Sequence, residues 1–429
     1  MKIELPYGLE KIEVEIPDEN FIGVIEPKDI QGLGRTRADI ETKVKMALRH
    51  PLDSPPLSSL VKSNSNVTVI ATDISRPCPD YVLLHPLLEE LNEAGVSDNQ
   101  IKIVIATGMH RPMTEKELRD KLSEEVYERV HVVNHVCTDE ESLKYVGQTP
   151  NLNIPLWVNK EVVDADFVIS TGMVDPHIFA GYTGGGKSVL PGVSGLKTIE
   201  ETHKPERLDL PTVGICLCEN NPIRMDMDEA GKMAGLKFIV NIALNLKYEV
   251  AAISTGNIVT AHRELVKFVD TIAKVKVSSE PDIVVSAPGY PKDRDLYQAT
   301  RAANNFVCGP KPVIKKGGVI IIPAPCQDGV GSETFYYWMK EAKTLDDILE
   351  RGRREPDIGA HRPYIMAKIL KHADVIIVGS KIPDKVEEMK MIAAKDMDEA
   401  LETAFSKVGK KAKTLITTHG LTVVPIVSC

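Results

Sequence analysis

The chain reads as an α/β protein: two α/β domains with mostly parallel sheets covered by helices on both faces, and an interdomain active-site cleft. Three observations lead there. Short apolar runs alternate with amphipathic stretches of helical period along nearly the whole chain. At 429 residues the chain exceeds what one ordinary core holds. The pattern breaks once, at "SSEPD", just after a helical stretch ending near Lys276. An N-terminal domain is therefore expected over residues 1–277 and a C-terminal one over 278–412, with 413–429 apolar enough to return to the first domain as an added strand.

Taken in order, the first strand and its turn are "VTVIATDISRP" (67–77), followed by the helix "DYVLLHPLLEELNEAG". The second strand is "IKIVIATGMHRP" (101–112), followed by the helix "TEKELRDKLSEEVYERV", and the third is "ADFVISTGMVDPH" (165–177). Each strand is an apolar run, a Thr and a polar turn. Open α/β sheets bind ligands beyond the carboxyl ends of their strands, so Asp73, Arg76, His110 and His177 are expected to face one cleft. "SGLKTIEETH" reads as a short helix capped by Ser194 and closed by His203, and "TAHRELVKFVDTIAKVK" as the last helix of this half. In the second half "DIVVSAPGYPKDRDLYQATR", "GGVIIIPAPCQDG" and "ADVIIVGSKIPDK" repeat the arrangement, and "DKVEEMKMIAAKDMDEALETAF" reads as helix. On the helix "RDLYQATRAANNF", Tyr297 and Arg301 are four apart and share a face with Gln298 beside them. That face offers a cation, an amide and a phenol, a set that also suits an ordinary solvated surface.

A formal charge of -9 with no basic block argues against a nucleic-acid partner. The longest apolar runs are too short to cross a bilayer, and "MKIELPYGLE" lacks the apolar core of a signal peptide, so a cytoplasmic protein without membrane contact is expected. Seven scattered cysteines without a C-x-x-C fit a reducing compartment and core packing.

Gly181 through Ser188 satisfies the phosphate-loop pattern G-x-x-x-x-G-K-[ST]. That pattern works when a strand feeds the loop and a helix starts at the Lys-Ser pair. Here ten residues separate "DFVIS" from Gly181, and Pro191, Gly192 and Gly195 interrupt the helix that should follow. A four-apolar run ending in a magnesium-binding Asp is also missing, which weakens the nucleotide-hydrolase reading. What remains is a glycine loop, with Gly184, Gly185 and Gly186, presenting Lys187. Its plainest use is to neutralise a phosphate, and the glycines leave room for something bulky against the backbone.

Eleven histidines occur, and His110, His177 and His203 stand out by position. A single histidine is most often a solvated or hydrogen-bonded side chain. Two of them after strand ends, together with a loop lysine, point to a site. Zinc ligands normally include a close pair such as H-E-x-x-H, and none is present.

"TDISRP", "TGMHRP", "DPHIFAGYTGGGKSVLPGVSG", "ETH" and "YPKDRDLYQATRAANN", in this order from about Asp73 to Arg301, resemble the lactate racemases that use a nickel-pincer nucleotide. The resemblance implies that Lys187 is joined through a thioamide to a pyridinium-3-thioamide-5-thiocarboxylate mononucleotide holding Ni(II), with His203 as the protein's metal ligand. It implies that His110 and His177 are acid/base groups on opposite faces of a small 2-hydroxy acid, whose α-hydrogen leaves and returns as hydride. Arg76 and Arg301 are implied to hold the carboxylate and polarise the keto oxygen, with Tyr297 and Gln298 hydrogen bonding. Asp73 is implied to orient a cofactor hydroxyl or Arg76. Transient contact with cofactor-building proteins is implied too.

Two departures bear on substrate: a family lysine appears as Arg301, and an active-site tryptophan is replaced by His361 in "HRPYIMAK". With Arg362 beside it, His361 is expected to form a polar, partly cationic wall favouring malate or 2-hydroxyglutarate over lactate. The rival from another class is a two-domain carrier of an anionic ligand or of the nickel cofactor.

Overall fold

In the computed structural model, residues 1–309, 311–354 and 359–427 are described. They divide into two compact units, Asp29–Thr202 with Cys216–Ile272, and Met1–Lys28 with His203–Ile215 and Ala273–Cys429. The single cut expected at 277/278 differs from this interleaved division.

The Asp29–Thr202 unit is built on a six-stranded sheet. Its strand order is Val250–Gly256, Leu236–Leu244, Phe167–Met173, Val67–Thr72, Ile101–Ala106 and His131–Asn134. All neighbours are parallel except the edge strand Val250–Gly256. Strands buried on both faces read as continuous apolar runs, and Val67–Ala71 and Phe167–Met173 are buried throughout. From Val67–Thr72 the chain steps outward through Ile101–Ala106 and His131–Asn134, then crosses to Phe167–Met173 on the other side. This reversal is a topological switch point, where such sheets leave a crevice beyond the strand ends. Helices Arg37–Arg49 and Asp80–Glu93 pack their apolar faces on the sheet around Leu48, Leu83, Leu87 and Ile103.

The second unit has six parallel strands in the order Ile392–Ala394, Ala373–Val378, Gly318–Pro323, Ile283–Ser286, Thr414–Thr417 and Phe21–Val24. An antiparallel hairpin, Lys2–Tyr7 with Glu10–Glu15, contributes Leu5 and Val14 to its core. The last strand, Val424–Val427, pairs with Lys274–Val277 of this same unit.

Four helical expectations need correction. The stretch 114–130 is two helices, Glu115–Leu122 and Glu124–Arg129, because Ser123 takes φ +78° and its hydroxyl accepts the Val126 N–H of the second. The stretch 384–405 is interrupted by Lys390 at φ +65°, after which Ile392–Ala394 pairs as an edge strand and Asp396 caps a new helix. The helix from Thr260 stops at Ala273, and the alternating "KVKV" forms a strand. "RDLYQATRAANNF" becomes Leu296–Ala299, a 3-10 turn Thr300–Ala303 and Asn304–Val307. Among the described residues no helix is long and apolar enough to cross a membrane.

Candidate active site

The segments after the strands flanking the switch point carry Asp73, Arg76, His177 and Lys187, and the loop after the next strand, Ile101–Ala106, carries His110. Asp73 lies 2.6 Å from Nδ1 of His110. The carboxylate side chain is 5% exposed and the imidazole 54%, so the pair presents its ring outward on a buried anchor. Burial pushes the Asp73 carboxyl up, but hydrogen bonds from His110 and Ser75 and the Arg76 charge outweigh it and hold it below its ordinary value. In the neutral ring, an ionised Asp73 holds the His110 proton on Nδ1, which leaves the lone pair on Nε2. Asp73 thus turns to His110, whereas the sequence reading had it orient Arg76 or a cofactor hydroxyl.

His177 is held differently. Its Nδ1 accepts the backbone N–H groups of Phe179 at 3.2 Å and Ala180 at 3.3 Å, which places the proton of the neutral ring on Nε2. The two neutral rings therefore carry their protons on opposite nitrogens, Nδ1 in His110 and Nε2 in His177.

Lys187 sits in a single 3-10 turn, Gly185–Ser188, with no α-helix following, so the phosphate-loop match lacks its helix. Burial, together with the Arg76 and Arg224 charges, pulls its ammonium down to about 7 against an opposing pull from Asp73. The amine is thus substantially neutral near physiological pH, which a reacting lysine needs.

The glycines serve the protein's own packing. A side chain at Gly186 would meet the Met227 carbonyl, one at Gly185 the His262 ring, and one at Gly184 the Asn241 amide and Met173 carbonyl. Gly184 and Gly185 also take φ of +77° and +59°. The room expected for a ligand on the side-chain side of these residues is filled by protein.

Sequence reasoning missed what clamps this loop. Arg224, fully buried on the helix Pro222–Met233, donates to the carbonyls of Ala180 (3.1 Å), Gly184 (3.1 Å) and Tyr182. Asp228, one turn on, lies 3.4 Å from Arg224 and 2.5 Å from Arg263. Asn241 accepts the Gly185 N–H at 2.8 Å, and buried His262 donates to the Thr183 carbonyl at 2.7 Å. Burial and the charges of Arg224 and Arg263 keep His262 neutral. The helix start was legible as Asn221-Pro222, a capping residue before a first-turn proline. Arg224 and Asp228 at i,i+4 were the remaining signal, but nothing local marks them as buried.

The helix Leu196–Thr202 ends just before His203 as expected, but Ser194 donates to the Val189 carbonyl at 2.7 Å instead of capping, and His203 itself is grouped with the other unit. The His203 ring lies 6.0 Å from that of His361. Burial, with the charges of His203, Arg362 and Arg301, lowers His361 to about 3, so it is neutral. Arg362 is buried and bonded to Asn304 at 2.9 Å and Thr300 at 2.6 Å. The partly cationic wall is therefore corrected to a neutral imidazole beside an arginine engaged by Thr300 and Asn304 of the 300–307 turns. Arg301 donates to Gln298 at 2.8 Å, and Tyr297 stands edge-on to Phe335 at 5.9 Å.

Two protein-family models match the chain, "Lactate racemase N-terminal domain" over residues 7–209 and "Lactate racemase C-terminal domain" over 276–425. A lactate racemase of Thermoanaerobacterium thermosaccharolyticum is 35% identical over 429 residues, covering 98% of each chain. The chain belongs to the lactate racemase family. A second lactate racemase, from Lactiplantibacillus plantarum, is 32% identical over 98% of this chain and 99% of its own. The solved lactate racemase apoprotein from T. thermosaccharolyticum superposes with a TM-score of 0.89 at 34% identity, covering all of both chains. A Thermotoga maritima protein at 19% identity, covering 93% of this chain and all of its own, shares the fold with a TM-score of 0.68. Membership in the lactate racemase family makes this chain an isomerase, and the two-domain α/β fold class with mostly parallel sheets and the resemblance read from the sequence both stand.

Proposed function

We propose that this chain racemises or epimerises 2-hydroxy acids, lactate or a longer polar analogue, with a nickel-pincer nucleotide attached to Lys187. The depressed Lys187 ammonium carries the reading, because condensing a lysine with a thiocarboxylic acid to a thioamide, with sulfur retained and water released, requires a free amine. Among the described residues no three His, Cys, Asp or Glu side chains converge as a metal-ligand set. Nickel at His203 thus fits a bound group that brings its own donors, and one imidazole beside sulfur donors suits Ni(II). When bound, the group serves as acceptor and donor of the substrate's α-hydrogen as hydride.

The chain's own residues do the rest. His110 Nε2 takes the hydroxyl proton of one enantiomer, and His177 Nε2–H supplies a proton on the other side. Arg76 and Arg301 bind the carboxylate and polarise the keto oxygen, with Tyr297 and Gln298 as hydrogen-bonding groups. Gly184, Gly185 and Gly186 shape the attachment loop through their packing. Intact mass tests the reading. Protein produced together with the cofactor-building enzymes is expected to gain a nucleotide-sized adduct on Lys187 and one nickel, and protein produced alone to gain neither. An unmodified chain in the first sample would overturn it, and turnover of any 2-hydroxy acid would remove the carrier alternative.

Substrate choice follows from His361. A neutral imidazole gives a substrate hydroxyl or carboxylate one hydrogen bond, about 0.5 to 1.5 kcal/mol, whereas burying a methyl group against it gains at most roughly 0.8 kcal/mol. With Arg362 engaged elsewhere the preference for malate or 2-hydroxyglutarate is modest, up to about 10-fold in kcat/KM over lactate. Comparing the three acids on the nickel-loaded protein and on His361→Trp measures it, and the indole is expected to shift the preference toward lactate. Lactate preferred by both proteins would place the pocket wall elsewhere.

A further inference from the structure

The segment His203–Ile215 belongs by its packing to the unit of Ala273–Cys429, although Thr202 and Cys216 on either side of it belong to the other. It carries one helical turn, Pro205–Leu208, with Asp209 as its C-cap. The Asp209 carboxylate accepts the Tyr364 hydroxyl, the Lys368 ammonium at 2.7 Å and an Arg353 N–H at 3.5 Å. Burial pushes its carboxyl up, but these three partners outweigh burial and keep it ionised. Tyr364 and Lys368 lie on the helix His361–Leu370, and His361, Tyr364 and Lys368 follow one another at spacings of three and four, which is one helical stripe. The same stripe meets the segment twice: at His203 through the His361 ring and at Asp209 through the phenol and the ammonium.

The three bonds are unequal. Lys368 and Arg353 are about half exposed, and ion pairs in that setting contribute little. The Tyr364 side chain is buried, and a phenol donating to a carboxylate is a charge-assisted bond roughly twice as strong as a neutral one. Gly352 permits this approach, since a side chain there would come within 2.8 Å of the Tyr364 ring.

We propose that Asp209 is a positioning residue, clamped by Tyr364 so that the excursion holds the His203 imidazole in register with His361. The proposal rests on the reading of His203 as the nickel ligand. The test uses nickel-loaded protein carrying Asp209→Ala, Asp209→Asn, Tyr364→Phe or His203→Ala. It measures nickel lost to a chelator over time, the Lys187 adduct by intact mass, and hydrogen exchange of peptides spanning 203–215.

Asp209→Ala and Tyr364→Phe are expected to release nickel about 10-fold faster, the scale of substitutions just outside a metal's ligands. The adduct should be unchanged, and faster hydrogen exchange should be confined to 203–215. Asp209→Asn keeps an oxygen for the phenol and should stay within a few-fold of the unmodified protein. Tyr364→Phe removes one hydroxyl and serves where Asp209→Ala fails to fold. Normal nickel retention in Tyr364→Phe beside rapid loss in His203→Ala would overturn the clamp and leave the ligand assignment standing. Normal retention in His203→Ala would overturn both. Exchange rising across the whole unit would make Asp209 an ordinary stabilising residue and overturn the positioning role.

Discussion

Lys187→Met is expected to abolish cofactor attachment and, in protein lacking the cofactor, to stabilise the fold. Both effects come from one observation. An ammonium whose ordinary value is 10.5 is lowered to about 7 by burial and by Arg76 and Arg224, so folding at pH 7 and below carries an unfavourable charge. The sign follows from proton counting. Between about pH 7 and 10.5 the unfolded chain holds the Lys187 proton and the folded one does not, so stability rises with pH across this window, by up to about 1.4 kcal/mol per unit. The Met variant lacks that contribution. It should exceed the unmodified protein by several kcal/mol near pH 7, on the order of 4 from the size of the shift, and the gap should close toward pH 10. Urea unfolding followed by Trp157, in the same unit, measures it at several pH values. Acylation of Lys187 by an amine-selective reagent should rise through pH 7 and then level. A gap independent of pH, or acylation still climbing toward pH 10, would show an ordinary lysine and remove the main support for the attachment reading.

The fold was legible where strands are buried on both faces, since runs such as "GVIIIP" keep one pattern however they pair. Helix ends were less legible. Ser123 and Lys390 break helices by taking positive φ, which neither residue type signals, and counting an apolar period simply bridges them. "KVKV" alternates as a strand should, yet four residues beside a long helix were absorbed into it. At the site, strand-end polar residues marked the neighbourhood of Asp73 and His110, but their pairing depends on the distance between two turns. Arg224 illustrates the limit. It lies some 40 positions from the loop it clamps, on a helix whose buried face is set by tertiary packing. Asp209 was equally silent, because its partners arrive about 150 positions later.

His110→Ala and His177→Ala are each expected to lower racemisation in both directions by about 10²-fold or more, the scale of a positioned acid/base group. The equilibrium between enantiomers forbids loss in one direction alone. The two surroundings predict different behaviour for milder changes. Asp73→Asn keeps a hydrogen-bonding group against His110 Nδ1, but its amide can also donate, so the ring is free to take the tautomer with its proton on Nε2. That tautomer cannot accept a hydroxyl proton at Nε2, and kcat should fall nearly as far as in His110→Ala while KM changes little. His177 is held by backbone instead: its Nδ1 accepts the Phe179 and Ala180 N–H groups, which side-chain substitutions leave in place. The double variant Asp73→Asn/His110→Ala should be no slower than His110→Ala alone, because the carboxylate acts through the ring. Measuring initial rates from each enantiomer in the four proteins decides the matter. Additive losses in the double variant would mean that Asp73 acts on something other than His110, and near-normal rates both ways in either His→Ala protein would remove that histidine from the proton relay.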